Sequence, residues 1–191
     1  ETLEGSVYLL ISGLYDPESK QGGWILDDFQ DNLYLKPPSG YAMRDPASNL
    51  FSRGGFSIQP TLLAGLLPPL DRDEPEIAIW MYFNALCSVY REEIGGLIEH
   101  PMPELGYSNS VTFKTSDEAN AAMWLRYLYV YWNRDLLHFG RALPRSWFGQ
   151  SQVFGVRGVC TRFGEADVSY TPQLEKGRIT ARVRVKKLRD D

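Results

Sequence analysis

The chain is poor in the residues that build metal and disulfide frameworks. It has 191 residues but only 2 Cys and 2 His. Cys87 and Cys160 stand far apart with no CxxC spacing, so a zinc site has no support, while a single disulfide is allowed but not implied. Glycine shows no period, which excludes collagen-like repeats. Long apolar runs are missing too. The richest stretch, 119–132, is shorter than the ~20 residues a membrane span needs, and Arg126 interrupts it. No P-loop, GxGxxG, HExxH or GxSxG is present, so nucleotide, zinc-protease and serine-hydrolase readings have nothing to stand on. Nothing in the pattern implies a cofactor, and the sparse cysteines leave the compartment open among periplasm, exterior and cytoplasm.

What is present is a globular composition. The chain is 43% apolar and 13% aromatic, enough for a sizeable core in one domain or two small ones. Its net charge of −4 is unevenly spread. Residues 134–191 hold twelve Lys and Arg against six Asp and Glu, a balance of +6, which leaves residues 1–133 at −10. That split suggests two differently built parts, 1–133 helical and 134–191 of strands.

Periodicity and capping signals predict five helices, over 2–14, 16–35, 58–67, 73–92 and 115–132. Asp16-Pro17 reads as a cap and first position. Pro68-Pro69 reads as a stop. Asp73 with Glu76, and Thr115 with Glu118, read as capping boxes. The fourth and fifth helices are apolar nearly all round, which predicts a layered body with inner helices covered by outer ones. Short and long connections alternate. Antiparallel neighbours would therefore place the two long connections, 36–56 and 93–116, at one end. From Asn133 onward the pattern is extended, with a turn or helical turn at Arg145–Phe148. The closing strand, 178–187, alternates strictly. Ile179, Ala181, Val183 and Val185 share one face and Arg178, Arg182, Arg184 and Lys186 the other, the signature of a half-buried antiparallel strand. Its basic residues come with no aromatic RNA-binding signature, so nucleic acid is not expected as a partner.

The stretch 136–163, LLHFGRALPRSWFGQSQVFGVRGVCTRF, carries Leu143, Pro144 and Trp147 followed by a Gly-Val-Arg-Gly strand. With the closing GRITARVRV, and with GGFSIQP at 54–60 and EHPMPELGY at 99–107, it resembles the end of the six-hairpin glycosidases. The resemblance implies a partial (α/α)6 toroid of helical hairpins followed by a small antiparallel β-sandwich or sheet. It also reads the chain, which opens on Glu1 inside or just before a helix, as a cut piece whose N-terminal part would be its partner. On that reading the fragment alone would be inactive and would leave an exposed apolar edge.

The implied chemistry is hydrolysis of a glycosidic bond in a carbohydrate substrate by paired carboxylates. Glu99 is the candidate acid or hydroxyl-binding carboxylate, against a plain role in the turn before Pro101 and Pro103. His100 beside it would tune Glu99 or hold a hydroxyl, against a structural role. Asp28 and Asp31, at i and i+3 on the second helix, form a candidate acidic pair, with a solvated outer face as the default. Tyr41, Phe56 and Tyr107 are candidates to stack on sugar rings, Gln59 to bond a hydroxyl and Arg44 to meet an acidic sugar. Trp124 reads as core, His138 as structural, Asp45 as a turn former, and Asp117 and Glu118 as helix-start residues. Two other classes stay open: a polysaccharide lyase using Tyr107, His100 and Arg44, and a non-catalytic carbohydrate-binding or scaffold module.

Overall fold

The structure is a computed structural model and describes residues 6–32, 65–92, 95–97, 101–102, 107–108 and 115–187. Two compact units divide at Trp124 and Leu125. The first contains α1 (Ser6–Ile11), α2 (Lys20–Asn32), α3 (Leu67–Asp71), α4 (Pro75–Val89) and two short antiparallel ribbons. One ribbon pairs β1 (Tyr90–Arg91) with β2 (Gly96–Leu97), the other β3 (Pro101–Met102) with β4 (Tyr107–Ser108). Helix α5 (Thr115–Tyr129) runs into the second unit.

This overturns the toroid. The described helices are only 6, 13, 5, 15 and 15 residues long, too short for the expected helical hairpins, and two strand ribbons occupy the end of the predicted fourth helix and the long connection after it. The local reasons are legible. Helix α1 stops at Ile11 because Gly13 takes φ +75°, the left-handed conformation that closes a helix end. Helix α2 begins at Lys20, later than Asp16-Pro17 suggests. Asp16 instead holds a turn, its Oδ1 accepting the Glu18 N–H at 2.9 Å. Ser19 then caps the helix by accepting the Gly22 N–H at 3.1 Å. Pro68 and Pro69, expected to end a helix, open α3, because proline at the first helical positions gives up only N–H groups that have no intrahelical acceptor. Asp73 has φ 60° and is no cap; α4 starts at Pro75. That helix ends at Val89 rather than at 92, because Tyr90 leaves it to pair with Leu97.

The core of this unit joins Val7 and Met81, each 1% exposed, with Ile11, Ile25, Ile77 and Trp80 packed around them. Arg72 ties the turn before α2 to the α3–α4 corner. Its guanidinium donates to the Pro17 carbonyl at 2.6 Å and to Glu74 Oε1 at 2.9 Å. The Glu74 hydrogen bond raises the guanidinium pKa further above its ordinary value. Helix α5 is not covered all round: Ala119, Ala122 and Leu125 face solvent at a spacing of three. Small alanines make such a face cheap to expose, so an apolar composition did not require an outer helical layer.

In the second unit α5 stops at Tyr129, and the chain continues directly as β5 (Val130–Asn133), which pairs with β6 (Leu136–Phe139) from Val130↔Phe139 to Asn133↔Leu136. The predicted helix to 132 is thus cut short by a hairpin that takes the next four residues. Arg126, which breaks the apolar stretch, lies over the rings of Tyr127 and Trp132 at 5.0 and 5.8 Å. A short 3-10 helix at Arg145–Gly149 falls on the expected turn. Then come β7 (Phe154–Thr161), β8 (Gly164–Gln173) and β9 (Arg178–Lys186), an antiparallel meander in the order β7-β8-β9. A bulge between Val156 and Val159 is held by the Gly158 N–H donating to Asp167 Oδ1 at 2.8 Å.

The register sorts the meander's faces. Ala166, Val168 and Tyr170 of β8 stand opposite Val185, Val183 and Ala181 of β9. Strand β8 buries this face, with Ala166 at 0% and Val168 at 2% exposure. Strand β9 does not: all nine of its residues are exposed. The half-buried final strand is therefore corrected to an uncovered edge strand. Its alternation is real, but among the described residues no element packs over it. Cys160, on β7, is a free exposed thiol, so no disulfide forms there.

Candidate functional site

A cleft of about 210 Å³ opens in the second unit, lined by Tyr129, Trp147, Gln150, Gln152, Val153 and Phe154. Each wall has a local cause. Tyr129 is the last residue of α5, and its carbonyl accepts the Gly140 N–H at 2.8 Å, so the β5–β6 hairpin closes back onto the helix end. Pro144, with φ −55° and ψ 129°, delivers the chain into the 3-10 turn; there the Trp147 N–H donates to the Pro144 carbonyl at 3.0 Å. Phe154 opens β7 opposite Tyr170, on the apolar face of the meander.

The rings form one cluster. Tyr129 and Trp147 have centroids 5.8 Å apart at 35°, and Trp147 meets Phe154 edge-on at 6.3 Å. Phe154 lies 5.6 Å from Tyr170, and Phe148 meets both edge-on, at 5.2 and 5.7 Å. Contacts of this kind hold rings in fixed planes. Burial pushes the Tyr129 phenol pKa upward, so the ring stays neutral at physiological pH. Two side-chain amides, Gln150 and Gln152, stand exposed at the rim with both donors and acceptors to offer. None of these lining residues carries a charge. The volume is below the ~300–1,000 Å³ of a pocket that encloses a drug-sized ligand, so it suits a single ring.

The expected site residues meet different outcomes. Glu99, His100, Tyr41, Arg44, Phe56 and Gln59 lie outside the described residues, as does Asp45. So does the proposed convergence of the two long connections. Tyr107 is described by its backbone, as the first residue of β4, and Asp31 by its backbone on α2. Asp28 is half-buried on α2 and is engaged with other groups of the fold. Trp124 is fully buried in the core. Glu118 accepts the Leu97 N–H at 3.3 Å, which ties α5 to the β1–β2 ribbon. His138 stacks on Tyr131 at 4.7 Å, and its Nδ1 lies 3.2 Å from Arg141 Nη1.

Sequence reasoning did not assemble the cleft. Trp147 entered it only as part of a Leu-Pro-x-x-Trp pattern, and Tyr129 lies inside an apolar helix pattern. The available signal was the density of aromatics around two glutamines in 147–154. Among the described residues no group of three or more His, Cys, Asp or Glu is placed to hold a metal ion, and no helix is long and apolar enough to cross a membrane.

Comparison with protein-family models, with curated proteins and with solved structures finds no match to this chain.

Proposed function

We propose that the second unit is a carbohydrate-binding module that takes one ring of a neutral sugar into the Tyr129–Trp147–Phe154 cleft. The observation that carries the reading is the combination of fixed aromatic faces with uncharged amides at one opening. Sugar rings present C–H faces, which pack on aromatic faces, and hydroxyls, which amides bind by donating and accepting. The absence of charge from the described lining argues for neutral sugars over uronates, and so against the lyase reading. The hydrolase reading rested on the toroid; without it that reading keeps only Glu99 and His100, outside the described residues.

The test is titration of the full chain with neutral gluco- and chito-oligosaccharides and with an oligogalacturonate, by calorimetry and tryptophan fluorescence. Binding of a neutral sugar, weakened at least roughly tenfold in Trp147→Ala, which corresponds to about 1.4 kcal/mol, is the expected result. A folded Trp147→Ala protein that binds as well as the parent refutes the proposal, as does a preference for the uronate.

A further inference from the structure

Strand β9 ends the β7-β8-β9 meander, and its outer edge has no strand beside it among the described residues. Its nine residues give that open edge a length of ~30 Å. Exposed edges of that length invite another strand, and proteins commonly blunt them with charge or cover. Here Arg178, Arg182, Arg184 and Lys186 line one face of the strand. Arg178 donates to Gln173. Arg182, Arg184 and Lys186 make no side-chain hydrogen bond or ion pair among the described residues. On the other face Ile179, Val183 and Val185 remain 42–45% exposed. The outer edge thus offers in-plane N–H and C=O groups flanked by unpartnered cations on one face and apolar side chains on the other.

The filled side shows what the other would take. Strand β8 presents Glu165 opposite Lys186 and Asp167 opposite Arg184, with Ala166 and Val168 opposite Val185 and Val183. Acid faces base and apolar faces apolar, the pairing that stabilises adjacent strands.

We propose that the outer edge of β9 is a docking site for an extended segment of another protein, alternating acidic and apolar residues, added antiparallel as a fourth strand. Main-chain hydrogen bonds supply the affinity and the basic face supplies register and selectivity. A second copy of this chain is the wrong occupant. Two β9 edges side by side would set Arg182 and Arg184 among the same cations of the mate, and like charges on adjacent strands repel. Nucleic acid is disfavoured because Glu165, Asp167 and the basic residues share one sheet face, which blunts its field.

The probe is a blocked heptapeptide of alternating valine and glutamate, titrated into the isotope-labelled full chain while amide shifts are followed. Shifts on alternate β9 amides are expected, with binding that weakens as salt rises. Substituting lysine for the glutamates should abolish it. Arg182→Gln should weaken it about threefold, and Arg182→Glu with Arg184→Glu at least tenfold, in keeping with loss of charge pairs at an interface. Arg182 faces Ser169 on β8, so its replacement breaks no inner ion pair and the single variant tests the edge without threatening the fold. The proposal is overturned if the folded chain does not shift, if the lysine peptide binds equally well, if a single-stranded oligonucleotide outcompetes the peptide, or if the free protein self-associates through β9.

Discussion

Replacing Gly140 with alanine should destabilise the second unit sharply, and the magnitude follows from two separate contacts. Gly140 has φ +69°, where an L side chain costs ~1–2 kcal/mol. A Cβ there would also sit 2.3 Å from the Tyr170 hydroxyl and 2.8 Å from its ring Cζ, so the tyrosine must move. Tyr170 is wedged between Phe148 and Phe154, and forcing a packed ring aside costs ~1–3 kcal/mol. The expected loss is about 2–5 kcal/mol in urea unfolding followed by tryptophan fluorescence, with an unchanged slope against denaturant. The displaced ring pushes on Phe154, so sugar affinity should fall alongside stability. Tyr170→Phe separates the two contributions. It removes the nearer clash and leaves the backbone strain, so the double variant should recover ~1 kcal/mol relative to additivity. A Gly140→Ala protein within ~0.5 kcal/mol of the parent, the scatter of an ordinary surface change, would refute the packing argument.

Three more outcomes follow from the same structure. The Tyr170 hydroxyl is buried without a hydrogen-bond partner among the described residues, and burial pushes its pKa up to about 12 from the ordinary 10.0. The folded state therefore holds this proton more tightly, and its contribution to stability is intact below pH 10 and lost as pH rises from 10 to 12. Tyr170→Phe should flatten that decline and, at neutral pH, leave stability unchanged or raised, because no bond is lost. A decline as steep in the variant as in the parent would contradict this. Ser19→Ala should cost ~1 kcal/mol by leaving the Gly22 N–H uncapped, whereas Ser19→Asp should retain most of the stability in thermal melts. Arg72→Ala removes charge-assisted bonds to Pro17 and Glu74 and should destabilise the first unit by ~1.5–3 kcal/mol in urea. A null effect would place the α2 start elsewhere in the energetics.

Local signals were legible where the deciding interactions lie within a few residues. The strict alternation of 178–187 marks β9 because side-chain direction in a strand has period two whatever surrounds it. Helix α5 starts at Thr115, close to the expected position, although Glu118 there accepts the Leu97 N–H and shows no capping-box bond, and the 3-10 turn at Arg145–Gly149 falls where the turn residues put it. The sequence by itself thus determined the extended character of the second half from about 136 onward, its alternating final strand and the charge asymmetry. It did not determine where helices yield to strands. Tyr90 and Val130 follow apolar helical runs without a break, and only pairing with Leu97 and Phe139 turns them into strands. Nor could it say whether Pro68-Pro69 stop or start a helix, since proline suits both flanks. Burial was likewise decided in three dimensions: β8 and β9 share an apolar pattern, yet one is covered and the other open, because covering requires another element to arrive. The cleft has the same origin. Tyr129, Trp147 and Phe154 meet because a glycine in the left-handed conformation lets the chain fold close over Tyr170, a convergence that residue order alone does not encode.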